Sequence, residues 1–410
     1  MVLDILIPKI SIGLLGKTNV GKSTFFSAAT LIPVAIENRP FVTLDPRSGV
    51  AYIRKKCVHQ ELGLPKCVPV SSLCIKGERF IPVTLVDIPG LVKDASKGRG
   101  LGNKFLDVIR QADSLIHVID ISGSTDEDGK PVKPGYRDPY EDIISIELEY
   151  DEWMYSIISR DWSRFARSLD NMNIGQVIDA LTQRLTGLSI KRDHVAKTLT
   201  KTKLDSVKPS SWREEELRMF VYELRLEAKP IVIAANKIDI PEARDMLKSV
   251  IRRLPNRLII PVTALGELIL RKAVTKGSID YLPGDREFRI VDKNSLTQHE
   301  IKALEIIKEI MDFYGSTGVQ RTLNETVFTA LNMIVVYPVE DHNKFTDSKG
   351  NILPDAYLVP RGTTTLDLAY MVHSDLGKHF IYAIDARTKQ KLGKDYILQD
   401  DSIIKIVASV

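Results

Sequence analysis

Short apolar runs recur along the first two thirds of the chain, at residues 10–15, 81–86, 115–119, 231–235 and 258–262, and each is closed by a polar turn. Continuous Val, Ile and Leu over this length predicts strands covered on both faces, the pattern of a parallel sheet between helices. Between the third and fourth runs, about 110 residues show little strand character, which is too long for a connection and predicts a structured insertion. Residues 143–153, 162–167 and 177–188 carry apolar positions there. A second helix signal opens at Ser210 and Ser211, where serine N-caps would precede Glu214, Glu215 and Glu216 in the first turn. The expectation is an antiparallel helical pair. Thr297 and Glu300 form a capping box ahead of Ile301, Leu304, Ile307 and Met311, with Gly315 as the stop. From about Val335 the pattern changes to Pro-rich turns, strand-like stretches at 356–359, 380–384 and 403–407, and a short helix at 366–373. That is a small α+β module of about 75 residues, near the lower size at which a domain folds alone. The implied organisation is 8–140 and 229–332 as two parts of one α/β domain, 141–228 as a helical insertion and 333–410 as the terminal module.

Composition narrows the class. A length of 410 residues fits two to three domains, and 44% hydrophobic with 27% charged residues supplies ample core without a bias to disorder. No apolar run reaches membrane-spanning length, and Asp4 and Lys9 interrupt the N-terminal apolar stretch, which also lacks a basic start and a small-residue cleavage site. Three cysteines make no secreted disulfide framework. A cytoplasmic protein with no membrane partner is expected. The formal net charge of +4 over this length does not by itself argue for nucleic acid.

Chemistry enters with Gly16, Lys17, Thr18, Asn19, Val20, Gly21, Lys22, Ser23 and Thr24, which follow the first apolar run and open a helix signal. The glycines let backbone N–H groups wrap a phosphate chain, Lys22 can reach the β and γ phosphates, and the Ser23 hydroxyl can ligate Mg²⁺. Asp87 and Gly90 end the second run, where an Asp supports the Mg²⁺ shell and a Gly N–H senses the γ-phosphate. Asn236, Lys237 and Asp239 end the fourth. A carboxylate at Asp239 accepts from guanine N1–H and its exocyclic amine, a donor pair that adenine lacks. Thr263, Ala264 and Leu265 after the fifth run supply a backbone N–H suited to guanine O6. The four elements stand in the order a guanine-nucleotide site requires.

Together with residues 38–46, 98–106 and 110–118, these motifs resemble the Obg-related GTPases. The long helical insertion and the terminal segments 362–369 and 403–407 resemble the YchF-type branch, which ends in a TGS domain. The resemblance implies an α/β P-loop NTPase fold with a mostly parallel sheet, a helical, coiled-coil-like insertion and a small α+β TGS domain. It also implies that Thr43 closes on Mg²⁺ and the γ-phosphate, and that residues 98–103 form the second switch. With Lys22, Thr43 and Gly90 as catalytic groups and Ser23, Thr43 and Asp87 on Mg²⁺, the expected activity is slow GTP hydrolysis to GDP and phosphate. Many YchF-type proteins have lost the Asn-Lys-x-Asp reader and prefer ATP; this chain retains Asn236, Lys237 and Asp239, so GTP is expected. Val42 replaces a common threonine but leaves Thr43. Leu91 stands where many GTPases place a water-orienting glutamine, so the missing group is expected from a partner protein or a cation. Asn19 matches potassium-stimulated members of the wider class, which suggests K⁺.

Between residues 186 and 209, Lys191, Arg192, Lys197, Lys201, Lys203 and Lys208 outweigh Asp193 and Asp205 by +4. Lys378, Arg387, Lys389, Lys391 and Lys394 outweigh Asp385 by the same amount. Two basic faces suit RNA phosphates, and related GTPases with this module act on ribosomes, so ribosome or rRNA binding is expected. Cys57, His59, Cys67 and Cys74 fall within 18 residues, so a Cys₃His zinc site is chemically possible, but their spacings match no common finger, and ordinary buried or half-exposed cysteines are the expectation. His117 reads as a packed strand residue. The output is then a GTP-controlled interaction with the translation machinery. The alternatives are a nucleotide-sensing adaptor with negligible turnover and an ATP-preferring NTPase acting on a small substrate.

Overall fold

A computed structural model describes residues 10–30, 48–87, 110 and 112–409. The strands are β1 (Ser11–Leu15), β2 (Ser48–Lys56), β3 (Leu73–Ile75), β4 (Glu78–Asp87), β5 (Ser114–Asp120), β6 (Ile231–Asn236) and β7 (Ile259–Pro261), then β8 (Ile279–Asp280), β9 (Arg289–Ile290), β10 (Met333–Pro338), β11 (Tyr357–Pro360), β12 (Phe380–Asp385), β13 (Lys391–Leu392) and β14 (Ser402–Ala408). The helices are α1 (Lys22–Thr30), α2 (Pro139–Ile158), α3 (Trp162–Leu169), α4 (Ile174–Arg184), α5 (Arg192–Thr202) and α6 (Glu214–Ala228), then α7 (Ala243–Arg253), α8 (Ala264–Thr275), α9 (Gln298–Tyr314), α10 (Val319–Asn324), α11 (Thr365–Val372) and α12 (Ser374–Lys378). The chain forms two compact units: Ser11–Gly49 with Leu85–Thr322, and Val50–Thr84 with Leu323–Val410. Residues 50–84 thus group with the C-terminal module.

In the larger unit the strand order is β4-β1-β5-β6-β7, with β4 entering by its last residues. β1 runs parallel to β5, β5 to β6 and β6 to β7. Every residue of β5 and β6 is buried, which is why both read as largely apolar runs. The register sets Asp120 beside Asn236, so the polar residues that end these strands gather at one edge. That edge, at the carboxyl ends of parallel strands, is where α/β sheets hold ligands. α1 packs against α8 beside it.

The insertion is larger than a helical pair. Five helices, α2 to α6, enclose a core that includes Tyr150, Met154, Leu181, Leu199, Trp212, Phe220 and Leu224. α6 starts after Arg213, not after Ser210 or Ser211. Those serines sit in a one-turn 3₁₀ segment because Trp212 is buried and fixes the turn, while the Ser210 N–H donates to Asp170. Arg225 is fully buried on α6 and bridges Glu147 and Asp151 of α2, locking the two helices together. The capping box at Thr297 and Glu300 opens α9 as expected, and Gly315 closes it with φ 83°.

In the smaller unit β3 pairs with β4 and β2 lies on the other side of β4. The C-terminal residues build a second sheet in the order β11-β10-β14-β12-β13. β10 is antiparallel to β11 but parallel to β14, and α11, capped by Thr364 and Asp367, covers a core of Ile334, Val336, Tyr357, Leu368 and Ile404.

Candidate nucleotide site

β1 ends at Leu15 and the chain turns through residues 16–21 into α1, whose first residue is Lys22. Two glycines make this turn physically feasible. Gly16 has φ 146°, and a Cβ there would lie 2.5 Å from the Val118 carbonyl oxygen; Gly21 has φ 91°, and its Cβ would lie 2.2 Å from Asn236 Nδ2. The loop is therefore wedged between β5 and the end of β6. Its backbone opens at the N-terminus of α1, where free N–H groups and the helix dipole favour an anion.

A cavity of about 640 Å³ lies over this loop, lined by Lys17, Thr18, Asn19, Gly21, Lys22, Ser23, Thr24, Asn236, Lys237, Asp239 and Leu265. These eleven of the sequence-predicted residues thus line one cavity. Gly16, Val20, Thr263 and Ala264 stand behind the wall. Val20 is buried and its carbonyl accepts from Asn236 Nδ2 at 2.8 Å, while Asn236 Oδ1 accepts from the Ala264 N–H at 3.0 Å. Asn236, 3% exposed, therefore ties the phosphate loop to the start of α8. Thr263 caps α8 by accepting from the Gly266 N–H at 3.2 Å, and its own N–H donates to the Thr317 carbonyl at 2.9 Å. Of the three residues expected to offer an N–H to the ligand, Thr263 and Ala264 are engaged internally, and Leu265 reaches the cavity. Asp239 is exposed at the rim, and its carboxylate takes no hydrogen bond or ion pair from the other described residues. Thr43, Gly90, Val42, Leu91 and residues 98–103 lie outside the described residues.

The charges are arranged in pairs. Lys22 Nζ is 3.0 Å from Asp87 Oδ1 at the end of β4. Lys17 pairs with Asp142 at the start of α2, which also accepts from Arg137 Nε at 2.9 Å. Lys237 is left-handed, with φ 65°, and its Nζ lies 2.9 Å from Asp120 Oδ2 and 3.3 Å from Ser124 Oγ. Burial alone would raise the Asp120 carboxyl, but hydrogen bonds from Ser122, Lys237 and Ser124 outweigh it and hold the group below its ordinary value. His117 is fully enclosed in β5; burial first, then Lys17, pushes its pKa down to about 3, so it stays neutral and packs, as the strand reading expected.

Sequence reasoning missed the segment after β5. Asn19 Nδ2 donates to the Gly129 carbonyl at 2.9 Å and Thr18 Oγ1 to the Asp128 carbonyl at 3.2 Å, so residues 128 and 129 brace the outside of the phosphate loop. The cluster of Asp126, Asp128 and Gly129 was its one legible trace, a turn signal with no indication of its destination.

Comparison with known proteins is consistent with this geometry. Residues 11–151 match the family described as 50S ribosome-binding GTPase, residues 234–341 the Obg-like GTPase YGR210-like, G4 motif-containing domain, and residues 346–408 the TGS domain. An uncharacterized GTP-binding protein of Methanocaldococcus jannaschii is 45% identical over 398 residues, covering 97% of this chain and 99% of its own. The chain belongs to the Obg-like, YchF-type GTP-binding proteins. The crystal structure of a GTP-binding protein from Pyrococcus horikoshii has the same architecture, with TM-score 0.77 and 37% identity over 98% of this chain and 100% of that one. A Bacillus subtilis protein named ribosome-binding ATPase YchF is 32% identical across 55% of each chain.

Against this family background the basic faces are weaker than their residue count implies. Arg192 pairs with Asp179, Lys197 with Asp193 and Glu227, and Lys201 with Glu223. On the terminal module Arg387 pairs with Glu61 and Lys378 with Asp375. Such exposed pairs add little stability, but they cancel much of the local field. Among the described residues no helix is long and apolar enough to cross a membrane.

Proposed function

We propose that this chain binds GTP in the cavity above residues 16–24, hydrolyses it slowly to GDP and phosphate, and uses the cycle to control binding to the ribosome. The observation that carries the reading is the placing of Asp239, an unengaged carboxylate, on the same cavity as the phosphate loop, with Asn236 fixing the distance between them. Asp239 reads the N1–H and amine of guanine, the Leu265 N–H serves O6, and the exposed Leu265 side chain offers an apolar wall to the ring. Lys22 and the loop N–H groups hold the phosphates. Ser23 and Asp87 form a hydroxyl–carboxylate donor set that suits a hard cation, and with Thr43 they would hold Mg²⁺, which neutralises phosphate charge when bound.

Asn19 spends its amide on Gly129 and keeps its carbonyl oxygen for a cation, which supports stimulation by K⁺. The ribosome as partner rests on the family description of residues 11–151 and on the name of the Bacillus relative. That relative's name also supports the competing ATP reading. Single-turnover hydrolysis of GTP and ATP, with and without ribosomes and in K⁺ and Na⁺ buffers, tests the proposal. The expected result is GTP turnover raised at least tenfold by ribosomes, greater in K⁺ than in Na⁺, with binding that weakens as salt rises. Turnover indifferent to ribosomes would remove the translation role, and tight binding without turnover would leave an adaptor.

A further inference from the structure

The smaller unit holds a side-chain cluster that the nucleotide chemistry does not use. Cys57 follows the end of β2, His59 and Cys67 lie in the irregular segment after it, and Cys74 is the middle residue of β3. The four donor atoms all lie within 4.8 Å of one another. Cys57 Sγ is 3.7 Å from Cys67 Sγ, and Cys74 Sγ is 3.7 Å from His59 Nδ1. A tetrahedral zinc ion with Zn–S near 2.3 Å and Zn–N near 2.0–2.1 Å sets its ligand atoms about 3.8 Å apart for S···S and about 3.6 Å for S···N. The observed separations match a single ion, and the donors stand too close together to span a two-iron cluster.

We propose that Cys57, His59, Cys67 and Cys74 form a closed, structural zinc site. Three soft thiolates and one imidazole select zinc over the hard cations that suit the nucleotide cavity. With all four positions filled by protein, no place is left for a reacting water. Three thiolates on Zn²⁺ leave one net negative charge. The guanidinium of Arg79, fully buried and set opposite Cys74 in the β3–β4 register, would balance it. Arg79 is itself fixed by Ser72 Oγ and the Leu353 carbonyl, both at 2.9 Å.

The segment the ion would staple has a task. Between Cys57 and β3 there is no regular element beyond turns, yet Val68 N–H donates to the Ile352 carbonyl at 2.8 Å, Val70 N–H to the Pro354 carbonyl at 2.7 Å, and Ser71 Oγ to Asp355 at 2.6 Å. Zinc would hold this stretch in the shape that docks on residues 352–355, within the same unit. Ordinary packing of half-exposed thiols does not require four ligand atoms to converge.

The test uses the full-length protein purified without added metal, dialysed against a weak chelator and analysed for metal, then loaded with Co²⁺. Wild type is expected to retain about one zinc per chain, and the cobalt form is expected to show tetrahedral d–d bands with thiolate charge transfer. Cys74→Ser should lose zinc to a competing chelator at least tenfold more readily. Because that variant can also misfold, His59→Cys is the second arm: it should keep its metal while the cobalt spectrum shifts to that of a four-thiolate centre. Hydrogen exchange of residues 57–73 should rise on zinc removal. Protein that binds no zinc even when zinc is supplied, a Cys57–Cys67 disulfide in place of metal, or a cobalt spectrum unmoved in His59→Cys would overturn the proposal.

Discussion

Asp239→Asn is expected to weaken GTP binding by about a hundredfold or more and to turn the cavity toward xanthosine triphosphate. A carboxylate accepts from both the N1–H and the 2-amino group of guanine, and each such charge-assisted hydrogen bond contributes about 1.5–3 kcal/mol. Asparagine keeps one acceptor but places an N–H₂ donor against the guanine amine, so one contact is lost and a donor–donor clash replaces it. Xanthine carries a carbonyl at that position and restores the match. Asp239 is the residue on which such a swap can act cleanly, because its carboxylate is exposed at the cavity and holds nothing else in place. Asn236, in the same motif, would not give a clean result: its removal would leave the buried Val20 carbonyl and Ala264 N–H without partners and collapse the loop itself. Unchanged GTP affinity in Asp239→Asn, measured by competition against a fluorescent guanine nucleotide, would show that the base lies elsewhere.

Lys22→Ala is expected to cut single-turnover hydrolysis by about 10²–10³-fold or more, the scale on which removing one preorganised charge acts on a transition state. The structure adds a second consequence. Lys22 pairs with Asp87 at 3.0 Å, so removing the cation alone leaves a carboxylate facing the phosphates. With Mg²⁺ chelated, nucleotide affinity should therefore fall further in Lys22→Ala than in Lys22→Ala/Asp87→Ala, and both variants should hydrolyse GTP only slowly when Mg²⁺ is restored. Equal affinity in the two would mean that Asp87 does not face the phosphates.

The parts legible in the sequence were those whose chemistry is contiguous. Strands buried on both faces write themselves as apolar runs, and the phosphate loop, Asp87 and the residues from Asn236 to Asp239 each follow such a run directly. Contacts that depend on where a long loop returns were not legible. Nothing local to Gly129 or Asp142 says that one will brace Asn19 and the other hold Lys17. The misplaced cap at Ser210 has the same origin, since burial of Trp212 overrode a good local signal. The convergence of the cysteine cluster was not legible from its spacings. Cys57, His59 and Cys67 lie in the irregular segment after β2 and Cys74 on β3, so the path of that segment, not a repeat length, sets the intervals.

The central claim is that this cavity selects guanine, and wild-type protein tests it most directly. A competition titration of GTP, GDP, ATP and ADP, with Mg²⁺ present, should rank both guanine nucleotides at least tenfold tighter than their adenine counterparts, about 1.4 kcal/mol or more. Equal or tighter binding of ATP would contradict the account and place this chain with its ATP-using relatives.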